Sequence, residues 1–160
     1  MYRAIDTAYY LLKVAGDKQL EITNLKLQKL IYIANGYMLA IHDAPLINEA
    51  PQAWKYGPVI HSIYRQFKEY AENPITVNTE LLEKDILSPQ AKAIIDAVVD
   101  TYGNDSAIDL VNLTHEADTP WDEVWNNQGG QERLFAEIDE ELIKNHFLKA
   151  VTAPDSVNGL

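Results

Sequence analysis

Cysteine is absent from all 160 residues of the chain. Disulfide scaffolding, thiolate catalysis and cysteine-based zinc sites are thereby excluded, and nothing points to an oxidising compartment. Long apolar runs are missing too. No segment reaches the ~18 uninterrupted apolar residues of a membrane span, and Met1 to Asp6 has an early acid and no apolar block, unlike a signal peptide. The expected location is the cytoplasm, with no membrane partner. Neither a G-x-S-x-G nucleophile turn nor a glycine-rich phosphate loop of the usual spacings occurs. Positive charge is scarce: 13 Lys/Arg stand against 24 Asp/Glu, for a net charge of −11. Such a chain repels phosphate backbones, so direct DNA binding is not expected.

The charge is uneven. Residues 1–68 sum to +3 and residues 69–160 to −14. This asymmetry implies either solubility alone or a bipolar surface that steers a basic partner to one end. The length suits a single domain with a real hydrophobic core.

Helical periodicity dominates what is present. The spacing predicts a first helix over about Tyr2 to Val14, ended by Gly16. A second starts at a Thr23 N-cap and runs through Leu27, Leu30, Ile31, Ala34, Tyr37, Met38 and Ile41. That stripe is broad enough for a central, buried helix, and Gly36 within it implies a close helix crossing. Pro58 is expected at the first position of a third helix carrying Ile60, Ile63 and Phe67. Ser88-Pro89, Asp105 or Ser106, Thr119-Pro120 and Asp139 mark four further helix starts. Between helices, Pro45 and Pro51 bracket short apolar pairs, read as a hairpin or ordered loop built from Leu46-Ile47 and Ala53-Trp54. The expected fold is mainly α. It is a single-domain helical bundle of about six to seven helices with a small β-hairpin or extended insert around residues 45–55. Residues 1–151 form the domain and 152–160 a flexible tail.

Candidate chemistry is thin. His115-Glu116 lacks the second histidine four residues on that a zinc protease helix requires, since position 119 is Thr119. His42, His61 and His146 have no ligand spacing, so no metal and no cofactor is expected. Ser62 beside His61 points elsewhere on a helix. A helix end and turn at Thr114 to Glu116, with Trp121 packed beneath His115, is the simpler structural account. Acid–base chemistry by His115 and Glu116 is the enzymatic alternative. Lys26 and Lys29 share a helix face, read as either a solvated face or a basic stripe beside Trp54, Lys55 and Tyr56. The aromatics of that segment suit both core and binding surface.

Taken in order, Leu25-Lys26-Leu27-Gln28-Lys29-Leu30-Ile31-Tyr32, Ala53 to Val59, Tyr64, Tyr102-Gly103, Thr114-His115-Glu116 and Pro120-Trp121 resemble the Panacea domain. This family is also described as SocA-like or phage-associated GepA-like. The resemblance spans about residues 3 to 150. It implies an antitoxin of a two-gene toxin–antitoxin system, often carried by prophages and linked to phage defence, that neutralises its toxin by direct protein binding and is not an enzyme. The implied partner is a cognate protein toxin encoded by the adjacent gene. One branch of the family delivers its toxin to a Clp-type protease, which is the alternative role. Lys26, Lys29, Lys55, Tyr56, His61, Tyr64 and Arg65 are the expected partner-binding residues. Trp54, Gly57, Pro58, His115, Pro120 and Trp121 are the expected structural motif.

Overall fold

The apolar stripe that starts after Thr23 becomes the axis of the molecule. In the computed structural model, which describes residues 1–78 and 85–153, helix α2 spans Asn24–His42, and fifteen of its nineteen residues are buried, on all sides. Thr23 caps it by accepting the Lys26 N–H at 3.2 Å. Five helices pack around α2: α1 (Ala4–Asp17), α3 (His61–Phe67), α4 (Pro89–Tyr102), α5 (Ala107–His115) and α7 (Glu140–Thr152). The short α6 (Pro120–Asp122) runs on into a π-helical segment, Glu123–Asn127. The chain is thus mainly helical with a small hairpin, as expected.

Gly36 marks the tightest crossing. A Cβ built there would lie 2.2 Å from the Phe147 ring, so only a glycine lets α7 approach so closely. Phe147 packs edge-on against Tyr37 at 5.0 Å and Tyr32 at 6.0 Å.

The caps fall where local chemistry places them. Ser88 accepts from Ala91, Thr119 from Asp122 and Asp139 from Glu141. Ser106, rather than Asp105, caps α5 in a capping box with Asp109. Gly103 follows α4 as its C-cap, whereas Gly16 sits inside the last turn of α1.

The hairpin differs from the expected one. Strand β1 (Gln52–Trp54) pairs antiparallel with β2 (Gly57–Val59), leaving Lys55 and Tyr56 at the tip. Leu46-Ile47 takes no part: Ile47 bridges Tyr2, and the Leu46 N–H donates to Asn35 Oδ1 at 2.9 Å. Pro58 does not open a helix. It lies in β2 opposite Ala53, whose own N–H donates to Ala136 O at 2.7 Å, so the donor that proline lacks is not needed there. Helix α3 begins three residues later. Thr152 ends α7, and residues 154–160 of the expected tail lie outside the described residues. Among the described residues, no helix is long and apolar enough to cross a membrane.

Candidate functional site

Asn24, Gln28 and Lys29 of α2 hold the hairpin and the helix that follows it. One turn apart, Asn24 and Gln28 share a helix row, and Gln28 Nε2 donates to Asn24 Oδ1 at 3.1 Å. The other end of the Gln28 amide accepts the Ile60 N–H at 2.7 Å, and Asn24 Nδ2 donates to Tyr64 O at 3.3 Å. Lys29 Nζ donates to Pro58 O at 2.8 Å. These bonds hold β2 and the start of α3 in place. Gly57 supplies the turn between the strands with φ of +109°, and a Cβ there would sit 3.1 Å from Lys29 Nζ.

The expected basic stripe is therefore not formed. Lys29 is 0% exposed, and Lys26 is buried with its Nζ donating to Gly103 O at the end of α4. Burial pushes the Lys29 ammonium down to about 7. Burial also lowers Lys26, against the opposing pull of the Asp105 charge. Neighbouring elements cover both lysines, so neither stands on a solvated face of α2. The aliphatic stems join the core and the head groups satisfy carbonyls that would otherwise be orphaned.

The other side of the hairpin is clamped by the second half of the chain. Trp121 Nε1 donates to Trp54 O at 2.6 Å, and Ile138 N donates to Pro51 O at 2.8 Å. Pro120 and Trp121 are buried, and His115 packs on the Trp121 ring at 5.0 Å. The turn before α6 is closed by Thr119 Oγ1 donating to Glu116 O at 2.8 Å and Asp118 N to Asp122 Oδ2 at 2.9 Å. His115 Nδ1 is buried and has no hydrogen-bond partner among the described residues. Glu116 is exposed. Ser62 bonds the Glu49 carboxylate while His61 packs on aromatic rings, so these neighbours face different partners. Among the described residues, no group of three or more His, Asp or Glu is placed to hold a metal ion.

What remains outward is a surface. A groove of about 460 Å³ runs between the first turns of α2, the hairpin and the end of α3. Lys29, Lys55, Tyr56 and Tyr64, all expected at the site, line it together with Trp54. Tyr56 is 63% exposed and Tyr64 37%. Lys55 Nζ sits 5.4 Å from the centre of the Tyr56 ring, a cation–π contact. The half-buried Trp54 ring meets Tyr64 at 5.0 Å on one side and Phe135 at 5.7 Å on another, and His61 lies 5.2 Å from Phe135. Trp54 thus serves the scaffold with its backbone and the surface with its ring. Arg65 is exposed on α3 but does not line the groove.

Sequence reasoning missed Leu25, Lys68, Leu134 and Phe135. Leu25 and Lys68 line or rim the groove, and Leu134 is 84% exposed beside Phe135. Two signals were available. Lys68 follows Tyr64 by four residues, which places it one turn on if the helix continues, and Leu134-Phe135 is an apolar pair in an otherwise polar stretch.

With this geometry in view, the family described as "Antitoxin SocA-like, Panacea domain" matches residues 27–122. Those residues run from within α2 through the hairpin to α6 and contain both partners of each clamp described above except Asn24, Ala136 and Ile138. A curated relative, "Antitoxin SocA" from Caulobacter vibrioides (strain NA1000 / CB15N), is 36% identical over 151 residues, covering 88% of this chain and 79% of that protein. No solved structure matches the chain significantly.

Proposed function

The chain belongs to the SocA-like Panacea family, and on that premise we propose that it is an antitoxin that neutralises a cognate protein toxin by binding it directly. The observation that supports direct binding is the exposed aromatic surface on a rigid hairpin. Tyr56 and Tyr64 stand in solvent while hydrogen bonds from α2 and Trp121 fix the backbone beneath them. Exposed aromatics on an ordered frame are what interface anchors require, because little conformational freedom is lost on association. Neutralisation by binding needs no aligned catalytic groups, and His115 and Glu116 do not converge. The proposed setting is the cytoplasm, and the proposed toxin is the product of the adjacent gene.

Co-expression tests this. The adjacent gene product is expected to arrest growth alone and to be harmless beside this protein. The double variant Tyr56→Ala/Tyr64→Ala is expected to stay folded by circular dichroism yet lose rescue. A neighbour that is harmless alone, or equally toxic in the presence of this protein, sinks the reading.

The acidic second half, at −14 over residues 69–160, favours one further reading. An acidic half of the chain suits an adaptor that docks its bound toxin on a Clp-type protease. Toxin half-life decides between them: rescue with unchanged toxin turnover leaves binding alone.

A further inference from the structure

We propose that the groove beside the hairpin tip receives an acidic segment of the partner protein, with bulky apolar side chains seated between Tyr56, Tyr64 and Leu25 and carboxylates meeting Lys55 and Lys68. This rests on the reading that the chain works by holding another protein, and it specifies the chemistry of what is held.

The sign of the charge at the groove narrows the occupant. Among the described residues, the acidic or basic side chains that line the groove are all lysines: Lys29, Lys55 and Lys68. All of its lining but Ala71 comes from residues 1–68, the half of the chain that sums to +3, so the lysines at its rim belong to the basic pole of the sequence. Lys55 and Lys68 are exposed at the rim, where each can meet a charge without a large desolvation cost. Lys29 lies in the floor with its Nζ donating to Pro58 O, and no acidic partner is found for it among the described residues.

Shape narrows the occupant further. The walls are apolar and aromatic: Leu25, Val59, Trp54, Tyr56, Tyr64 and Ala71. At about 460 Å³ the groove has room for bulky side chains. Its aromatic wall continues past Trp54 to Phe135 and on to the exposed Leu134. A surface that extends this way beyond the groove suits a chain segment better than a compact small molecule. The floor is already committed to hydrogen bonds within the protein, since Gln28 holds the Ile60 N–H and Asn24. Recognition therefore falls to apolar contact plus rim charge.

Matched dodecapeptides labelled with fluorescein test the proposal on the full chain. One carries two tryptophans a helical turn apart among glutamates. A second replaces the glutamates by lysines, a third replaces the tryptophans by serines, and a single-stranded DNA dodecamer serves as the phosphate probe. Fluorescence polarisation at low salt is expected to show saturable binding of the acidic tryptophan peptide alone, weakened in roughly 0.5 M salt. Lys55→Glu/Lys68→Glu is expected to weaken that peptide about tenfold and to make the lysine peptide the better ligand. None of the hydrogen bonds that hold the hairpin uses either lysine side chain, and the wild-type comparison of matched peptides decides the matter even if the double variant folds poorly. Equal binding of acidic and lysine peptides, preference for the DNA, or an acidic peptide indifferent to the double variant would overturn the proposal.

The two readings fail separately. Full toxin rescue by Lys55→Glu/Lys68→Glu removes the acidic-segment groove and leaves the antitoxin. Charge-selective peptide binding by a chain that rescues from no neighbouring toxin keeps the groove and removes the antitoxin.

Discussion

Replacing Lys29 by methionine removes a buried amine while keeping an unbranched side chain that can still fill the core. The prediction concerns how stability depends on pH. In the folded chain the amine is pushed down to about 7 by burial, from an ordinary value of 10.5. Between those values the unfolded chain binds the proton and the folded chain does not, so stability rises with pH across the window. The limiting slope is about 1.4 kcal/mol per pH unit, and from pH ~7 to ~9.5 the gain integrates to roughly 3 kcal/mol. That figure is a ceiling, because structural relaxation and water entry soften the cost of a buried charge. Lys26, also lowered by burial, acts in the same direction and remains in the variant. Tyr10, pushed up to about 12 by burial and its bond to Asp96, works the other way, as do Tyr32 and Tyr102. They hold their protons when folded and lose them more readily when unfolded, so their effect begins near pH ~10. The scan therefore stops short of it. Urea denaturation of the wild type between pH ~7 and ~9.5 should show the midpoint rising, and Lys29→Met should flatten most of that rise. The absolute stability of the variant at neutral pH is not the criterion. Methionine abolishes the cost of a buried amine but leaves Pro58 O without its donor, and the two effects oppose each other. A wild-type midpoint that is flat or falls with pH, or a variant with the same slope, would refute the reasoning.

Two further substitutions probe the frame that holds the site. Gly36→Ala should lower stability by roughly 1–3 kcal/mol despite alanine's better helix propensity, because the new methyl meets the Phe147 ring. Thermal melting reads this, and adding Phe147→Leu should recover part of the loss; a raised Tm for Gly36→Ala alone would contradict the crossing. Trp121→Phe keeps an aromatic ring but leaves Trp54 O without its donor, at a cost of about 1–3 kcal/mol. Faster amide hydrogen exchange at Ala53 and Ile138 should accompany it, and unchanged protection there would show that the indole bond does not hold the hairpin.

The helix starts at Thr23, Ser88, Ser106, Thr119 and Asp139 were legible because a cap is a bond made within a few residues. The close approach at Gly36 was legible too, since a glycine in a long apolar stripe has few other uses. Pro58 misled for the opposite reason. By local propensity it starts a helix, but bonds from Lys29 and Gln28, 29 and 32 residues away, hold Pro58 O and Ile60 N in extended geometry. Lys26 and Lys29 share a face in any helical reading. That the face is interior depends on five other helices packing around α2.

The family motif, the mainly helical class and the placement of most caps were thus determined by the sequence itself, because short-range hydrogen bonding and apolar periodicity specify them. The tertiary structure decided which motif residues point inward. Lys29, Gly57 and Trp121 became clamps on one hairpin, joined across separations as long as the 67 residues between Trp54 and Trp121. Tyr56, Tyr64, Lys55 and Phe135 were left as the surface. That division rests on which buried carbonyls and N–H groups need partners once the helices pack, and no local pattern in the chain encodes it.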